Sequence, residues 1–376
     1  MTATPWSQWV ADQCARIASA GQWRRTRDLD AAGPAGSLIE DAGARPVISF
    51  ASNDYLGLTQ HPAVIAAAHA ALDRWGAGSG SARLIVGSRP IHGELEDELA
   101  DWKQSERALL FPTGFAVNLG VLSTLATSGV RVCSDELNHA SIIDGCRLGR
   151  GDVRVYPHRD VDAVDKLLSG AERSIVVTDT VFSMDGDSAP VDELIEVCTR
   201  HGALLVLDEA HAVLGPNVEV PDGADVLRVG TLSKMLGALG GFVAGPQPFI
   251  DLLVNRARPF IFTTASTPAD TAAALAAVRV LRSPEGEALI ATLRRHVDRI
   301  APGHPSPIIP VVLGDEGQAM AASAALLERG LLVPAIRPPT VAPGTSRLRI
   351  ALSAAHTDAQ IALLADALRE TVGAAA

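Results

Sequence analysis

With 376 residues, the chain is long enough for about two domains around a sizeable core. Hydrophobic residues at 47% against charged residues at 20% give a globular profile, rich in the alanine that favours helices. A formal net charge of −11 without a long single-sign run argues against nucleic acid or an anionic membrane as the main partner; small anions stay possible, because a local arginine pocket can oppose the global sign.

Residues 1–30 read as an amphipathic helix running into Arg24-Arg25-Thr26-Arg27-Asp28, either a solvated face or an anion-binding arm. The tryptophans and Asp12 ahead of it lack the basic-then-apolar order of a secretion signal. A strand at 46–50 and a polar turn at 52–58 follow, and His61-Pro62 opens a helix over 63–75. The Gly-rich run 76–83 has a helix before it and the wrong spacing for a dinucleotide loop, so no nicotinamide site is expected there. A second helix follows from about residue 92.

From residue 108 the chain alternates apolar runs (108–111, 131–133, 153–156, 174–178, 203–207, 225–229) with amphipathic helices such as 116–126 and 192–201. That alternation predicts an α/β layer fold whose mostly parallel sheet is buried on both faces. Beyond about residue 250 the pattern becomes that of a smaller α+β unit, with an alanine-rich helix to about residue 282. The expected division is an N-terminal helical segment 1–45, a large α/β domain 46–250 and a small α+β domain 251–376. Cys14, Cys133, Cys146 and Cys198 have no C-x-x-C spacing, and no apolar run approaches the ~18 residues of a membrane span. The expected location is therefore the cytoplasm, and no metal site is expected.

The chain has only three lysines, Lys103, Lys166 and Lys234. Lys103 and Lys166 lie in amphipathic helical patterns and read as solvated surface charges. Lys234 instead closes Gly-Thr-Leu-Ser-Lys at 230–234, where a strand ends among small and hydroxyl residues. An amine that forms an imine must be held and partly desolvated, and hydroxyls with free backbone N–H groups suit a phosphate. Together these point to pyridoxal phosphate (PLP). Asp208 ends an otherwise apolar strand and needs a partner, which a pyridinium N–H would supply. Phe115, His139, Ser183, Asp208, His211 and Lys234 all follow a strand closely, which is where α/β sheets bind ligands. Thr231 adds a hydroxyl, and the Gly114-Phe115 backbone opens a helix, a ready phosphate site.

Five stretches together resemble the α-oxoamine synthases: Ser-Asn-Asp-Tyr-Leu-Gly-Leu at 52–58, Gly-Ser-Gly-Ser-Ala-Arg-Leu at 78–84, Leu-Asn-His-Ala-Ser-Ile-Ile-Asp-Gly-Cys-Arg at 137–147, Asp-Glu-Ala-His at 208–211, and the Lys234 motif. The likeness is dense over about 48–245 and returns over 333–357. It implies the PLP-dependent aminotransferase class I fold, with a seven-stranded, mostly parallel sheet. It also implies that Lys234 carries PLP and later acts as base, that Asp208 pairs with the ring nitrogen and His211 with the phenolate oxygen, and that His139 stacks on the ring. Ser183 and Thr231 would bind cofactor, and Gly114 and Phe115 would contact PLP or the acyl group through the backbone. Arg349 would hold the amino-acid carboxylate, Arg24, Asn53 and Thr340 would contact substrate, and Thr263 or Thr264 would reach the phosphate in a neighbouring subunit of a homodimer.

The tail at 335–356 favours the branch that condenses L-alanine with a pimeloyl thioester, carried by CoA or acyl carrier protein. The alternatives are a sibling using glycine and an acetyl thioester, and a catalytically silent subunit of the same fold. Two features depart from the family pattern. The segment after His211 is about two residues shorter than usual and runs into Pro216, and Phe115 stands where tyrosine is also common.

Overall fold

A computed structural model of the chain describes residues 4–373. Its strands are β1 (Asp28–Ala31), β2 (Ala35–Glu40), β3 (Gly43–Ser49), β4 (Arg107–Phe111), β5 (Arg131–Asp135), β6 (Asp152–Tyr156), β7 (Ser174–Asp179), β8 (Leu204–Asp208), β9 (Val226–Thr231), β10 (Gly241–Gly245), β11 (Ile308–Gly314), β12 (Leu331–Leu332), β13 (Ala335–Ile336) and β14 (Ser346–Ala351). Seven of them form one sheet in the order β4-β10-β9-β8-β7-β5-β6. Only β10 runs antiparallel, paired with β4 on one side and β9 on the other. The mostly parallel seven-stranded sheet is thus as the resemblance implies, while β10 itself was not legible as a strand.

Every residue of β7 and β8 is buried, which is why their sequences are continuous apolar runs rather than alternating ones. On one face Val132, Val177, Val206 and Val229 pack with Val117 and Val121 of the helix Gly114–Leu125. On the other, Cys133, Val176, Leu205 and Leu207 lie under the helices Val161–Leu168 and Val191–His201. The helix Ala140–Gly149 approaches Gly114–Leu125 closely because Gly145 has no side chain. A Cβ there would lie 2.8 Å from the Asn118 carbonyl oxygen.

The helical reading of residues 1–30 holds only for Pro5–Ser19, none of whose residues is buried. The arginine cluster lies in the loop beyond it, and residues 28–49 turn back twice as the antiparallel meander β1-β2-β3. β3 is then joined in parallel by β12, so strands from both ends of the chain share a sheet. A third sheet, β11-β14-β13, is antiparallel and carries Arg347 and Arg349 on β14. Cys133, Cys146 and Cys198 are buried free thiols, and Cys14 is half-buried. Among the described residues no helix is long and apolar enough to cross a membrane.

Lys103 is not solvated. It ends the helix Pro90–Trp102 and is buried, with Nζ 2.6 Å from Glu209 Oε2 and 3.7 Å from the centre of the Trp102 ring. Arg228 Nε donates to the other Glu209 oxygen at 2.6 Å. The helical pattern locates Lys103 at a helix end; the strand-end carboxylate it meets comes from more than a hundred residues later. Lys166 is exposed, as expected.

Candidate active site

The carboxyl ends of β7, β8 and β9 lie side by side, and their last residues carry the polar groups. Asp179 and Asp208 are register partners across β7 and β8, and Lys234 follows β9 after two residues, Leu232 and Ser233. Lys234 is half-buried, and its Nζ lies 2.7 Å from His211 Nε2. His211 Nδ1 is 2.6 Å from the Tyr55 hydroxyl, which donates to Asn53 Oδ1 at 3.0 Å. Because the phenol proton goes to Asn53, the phenol oxygen accepts from His211 Nδ1–H. That leaves Nε2 as the acceptor for the Lys234 amine. Arg349 closes the chain: Nη2 donates to the same Asn53 oxygen at 3.2 Å, and Nε donates to the Ser183 carbonyl at 2.5 Å.

Burial pulls the Lys234 amine below its ordinary value, against the opposing pull of Asp208 and Asp179. Burial, with Lys234 and Arg349 nearby, pushes His211 well below the usual imidazole range, so it is held neutral. Asp179 is pushed well above the carboxylate range by burial and by its neighbour Asp208. Its Oδ2 accepts the His139 backbone N–H at 2.8 Å.

Asp208 is fixed from two sides. Asn118 Nδ2 donates to Oδ2 at 2.7 Å, and the Ala210 N–H donates to Oδ1 at 3.0 Å. His139 caps the helix Ala140–Gly149, with its ring exposed and Phe115 edge-on at 6.3 Å between centroids. At the other end of the cluster Thr113 caps the helix Gly114–Leu125 by accepting from Ala116 N–H. The Gly114 and Phe115 N–H groups, in the first turn, have no intrahelical acceptor. A Cβ on Gly114 would stand 3.2 Å from Thr231 Cβ, so a side chain there would crowd the Thr231 hydroxyl, which lies 2.8 Å from that of Ser233.

The expected residues therefore fall into three groups. Lys234, His211, Asn53, Arg349 and Ser183 form one hydrogen-bonded network and Asp208 and His139 a second, both at the carboxyl ends of β7–β9, with Thr231, Gly114 and Phe115 beside them. Arg24 and Thr340 meet each other, Nη2 to Oγ1 at 3.5 Å, in an exposed contact separate from those hydrogen bonds. Thr263 and Thr264 are exposed, and Thr264 bridges to Ala82 rather than to the Lys234 cluster of its own protomer. The short segment after His211 forms an irregular loop along a cleft of about 610 Å³, floored by Lys103, Glu209 and Arg228.

The profile of the aminotransferase class I and II family matches residues 45–368. The chain belongs to that family. An 8-amino-7-oxononanoate synthase from Anaeromyxobacter dehalogenans (strain 2CP-1) is 51% identical over 89% of each chain, and one from Methylobacterium sp. (strain 4-46) is 46% identical over 93% of this chain and 95% of its own. Among solved structures, a serine palmitoyltransferase from S. paucimobilis with a bound PLP–myriocin aldimine superimposes with a TM-score of 0.88 at 30% identity over 99% of both chains. An 8-amino-7-oxononanoate synthase from Francisella tularensis does so with 0.74 at 25% identity over 87% of this chain and 98% of that one. Within the class I and II aminotransferases the protein groups with the α-oxoamine synthases, which are PLP-dependent acyltransferases.

The donor set fits PLP. A partly desolvated amine, a buried carboxylate, an imidazole face and a cradle of hydroxyls and free helix N–H groups would suit the cofactor's aldehyde, ring nitrogen, ring face and phosphate. Four contributors were not singled out from the sequence: Tyr55, Asn118, Ser141 and Asp179. Asn118 did leave a signal, as the amide in the otherwise apolar stretch Phe-Ala-Val-Asn-Leu-Gly-Val. Tyr55 is one of only two tyrosines in the chain.

Proposed function

We propose that the protein catalyses the 8-amino-7-oxononanoate synthase reaction of biotin synthesis: L-alanine and a pimeloyl thioester give 8-amino-7-oxononanoate, CO2 and free thiol. The observation that carries the chemistry is the hydrogen-bonded chain Lys234–His211–Tyr55–Asn53–Arg349. It joins an amine suited to hold PLP to a guanidinium suited to hold an amino-acid carboxylate. The choice of alanine and pimeloyl thioester is supported by the high identity to synthases of that name.

Bound PLP supplies the electron sink that acidifies the amino-acid Cα–H. Asp208, kept in place by Asn118 and the Ala210 N–H, holds the proton on the ring nitrogen. Lys234, with its amine pulled down by burial, is the anchor and the group that takes the Cα proton and returns one. Neutral His211 accepts from Lys234 and so sets its approach. Arg349, pinned by Ser183 O and Asn53, grips the alanine carboxylate and fixes the angle of the Cα–H bond. Gly114, Phe115 and Thr231 serve the phosphate end, and His139 covers the ring face. Arg24 and Thr340 contact the acyl substrate. Thr263 or Thr264 completes the phosphate site of a partner subunit, which makes the enzyme a homodimer with shared sites. The free thiols support a cytoplasmic location. The working division is a large PLP-binding unit over 46–250 and a smaller C-terminal unit over 251–376.

The structural likeness to serine palmitoyltransferase makes serine with a long acyl thioester the second reading. Thiol release is measured with PLP-loaded protein, pairing L-alanine, glycine or L-serine with pimeloyl-, acetyl- or palmitoyl-CoA. Release confined to L-alanine with the pimeloyl thioester supports the first reading. A preference for glycine with acetyl-CoA, or for serine with palmitoyl-CoA, replaces it with the corresponding sibling reaction.

A further inference from the structure

Behind the predicted PLP ring site lies a buried relay that ties Asp208 to His139. Asn118 is 1% exposed and Ser141 is fully buried. Asn118 Nδ2 donates to Asp208 Oδ2 at 2.7 Å and to Ser141 Oγ at 2.9 Å, and Ser141 Oγ lies 2.7 Å from His139 Nδ1. Asn118 Oδ1 has no partner. The directions of these bonds follow from the ends inward. A carboxylate offers no proton, so the face of Asn118 that meets Asp208 must be its NH2 group. The same NH2 group reaches Ser141, whose oxygen therefore accepts. The serine proton is then free for one acceptor only, His139 Nδ1. The Ser141 backbone N–H also points at Nδ1, at 3.3 Å, so that nitrogen faces two donors. It cannot carry a proton of its own without losing both.

We infer that Ser141, oriented by Asn118 from the Asp208 carboxylate, fixes His139 as the neutral tautomer with its proton on Nε2. Ser141 and Asn118 are positioning residues. They leave the ring with a single N–H on the side away from the relay, where it can donate to an oxygen of the bound substrate while the ring face covers the cofactor. The groups that face His139 from neighbouring elements are Asp208, which favours its protonation, Lys234, which opposes it, Asp179, which binds its backbone N–H, and the Phe115 edge. The inner side of the ring is desolvated although the residue is partly exposed, and this largest influence pushes the imidazole below its ordinary value. The inference rests on the proposed reaction only for the identity of the substrate oxygen, and the tautomer can be read without any substrate.

The test is a 15N spectrum of full-length, PLP-loaded protein with ring-labelled histidine, with the His139 signals assigned by His139→Gln. The expected result is an unprotonated Nδ1 and a protonated Nε2 from neutral pH down to the ring's midpoint. Ser141→Ala should admit the Nδ1–H tautomer and raise that midpoint by about 0.5–1 unit, since one donor to the neutral form is lost. Asn118→Leu should produce the same tautomer mixing while leaving Ser141 in place. An Nδ1-protonated ring in the parent, or a folded Ser141→Ala protein with unchanged tautomer and midpoint, overturns the inference. Thiol release by the same samples reports separately on the proposed reaction: a protein inactive toward every substrate pair but showing the Nε2–H tautomer would sink that reaction and keep the relay.

Discussion

At the scale of single residues, Lys234 carries the greatest consequence. Replacing it with alanine removes the only amine in the cluster. The expected result is loss of the bound-PLP absorbance and of at least about 10³-fold of the thiol-release rate, while the far-ultraviolet circular dichroism stays at the parent level. A retained absorbance band would put the anchor elsewhere. Tyr55→Phe tests the other end of the chain. It leaves His211 Nδ1–H without an acceptor in a buried place, so kcat/KM should fall about 3- to 10-fold and stability by about 1–2 kcal/mol, read from urea midpoints. The residues that do chemistry were legible because they break the apolar pattern at strand ends: Asp208 after Leu-Leu-Val-Leu, and Lys234 as one of three lysines. Tyr55 and Ser141 were not, because a tyrosine beside leucines and a serine in a helix's first turn fit ordinary packing and capping equally well. Their meaning comes from partners 156 and 23 residues away.

At the scale of elements, two ionic clusters, one half-buried and one buried, lock loops to the sheet. His158, just after β6, reaches Asp135 at 3.1 Å with Nδ1 and Asp187 at 2.8 Å with Nε2, and so ties the end of β5 to the loop that follows Ser183. Burial alone would lower this imidazole, but its hydrogen bonds to Asp187 and Asp135 outweigh that and raise it. The stabilisation is then fully present below the unfolded pKa of ~6.5 and is lost as pH rises through the higher folded value. His158→Gln should therefore cost about 1 kcal/mol more at pH 5.5 than at pH 9, and equal costs at both pH values would contradict the assignment. The second cluster lies just after β8. Burial alone would raise the Glu209 carboxyl, yet Lys103 and Arg228 together hold it low. Glu209→Gln would leave two cations facing one another without a counter-charge and should cost about 3 kcal/mol in urea unfolding. The strands of the main sheet were readable because burial on both faces makes them continuous apolar runs. β10 escaped because Gly-Phe-Val-Ala-Gly is short and bracketed by glycines. Of the meander, β3 was readable as the strand at 46–50, whereas β1 and β2 escaped because half-exposed strands beside an arginine cluster do not repeat cleanly at either period.

At the scale of the whole molecule, the exposed Thr263 and Thr264 make the assembly testable. If they serve the partner's phosphate site, the enzyme sediments as a dimer and the two defects lie on different chains. Co-expression of Lys234→Ala with a Thr263→Ala, Thr264→Ala double variant should recover about one quarter of parent activity, because a mixed dimer keeps one intact site of two and random pairing makes half the dimers mixed. No recovery would place the threonines outside the partner's site. The sheet that joins β3 to β12 bears on how the molecule is made. Ile48 waits for its parallel neighbour Leu331 until nearly the whole chain has been synthesised. At ~5–20 residues per second, the free edge of the meander stays uncovered for on the order of 15–60 s on each ribosome. A nascent chain stalled before residue 331 should then be a better chaperone client than one released a few residues after it.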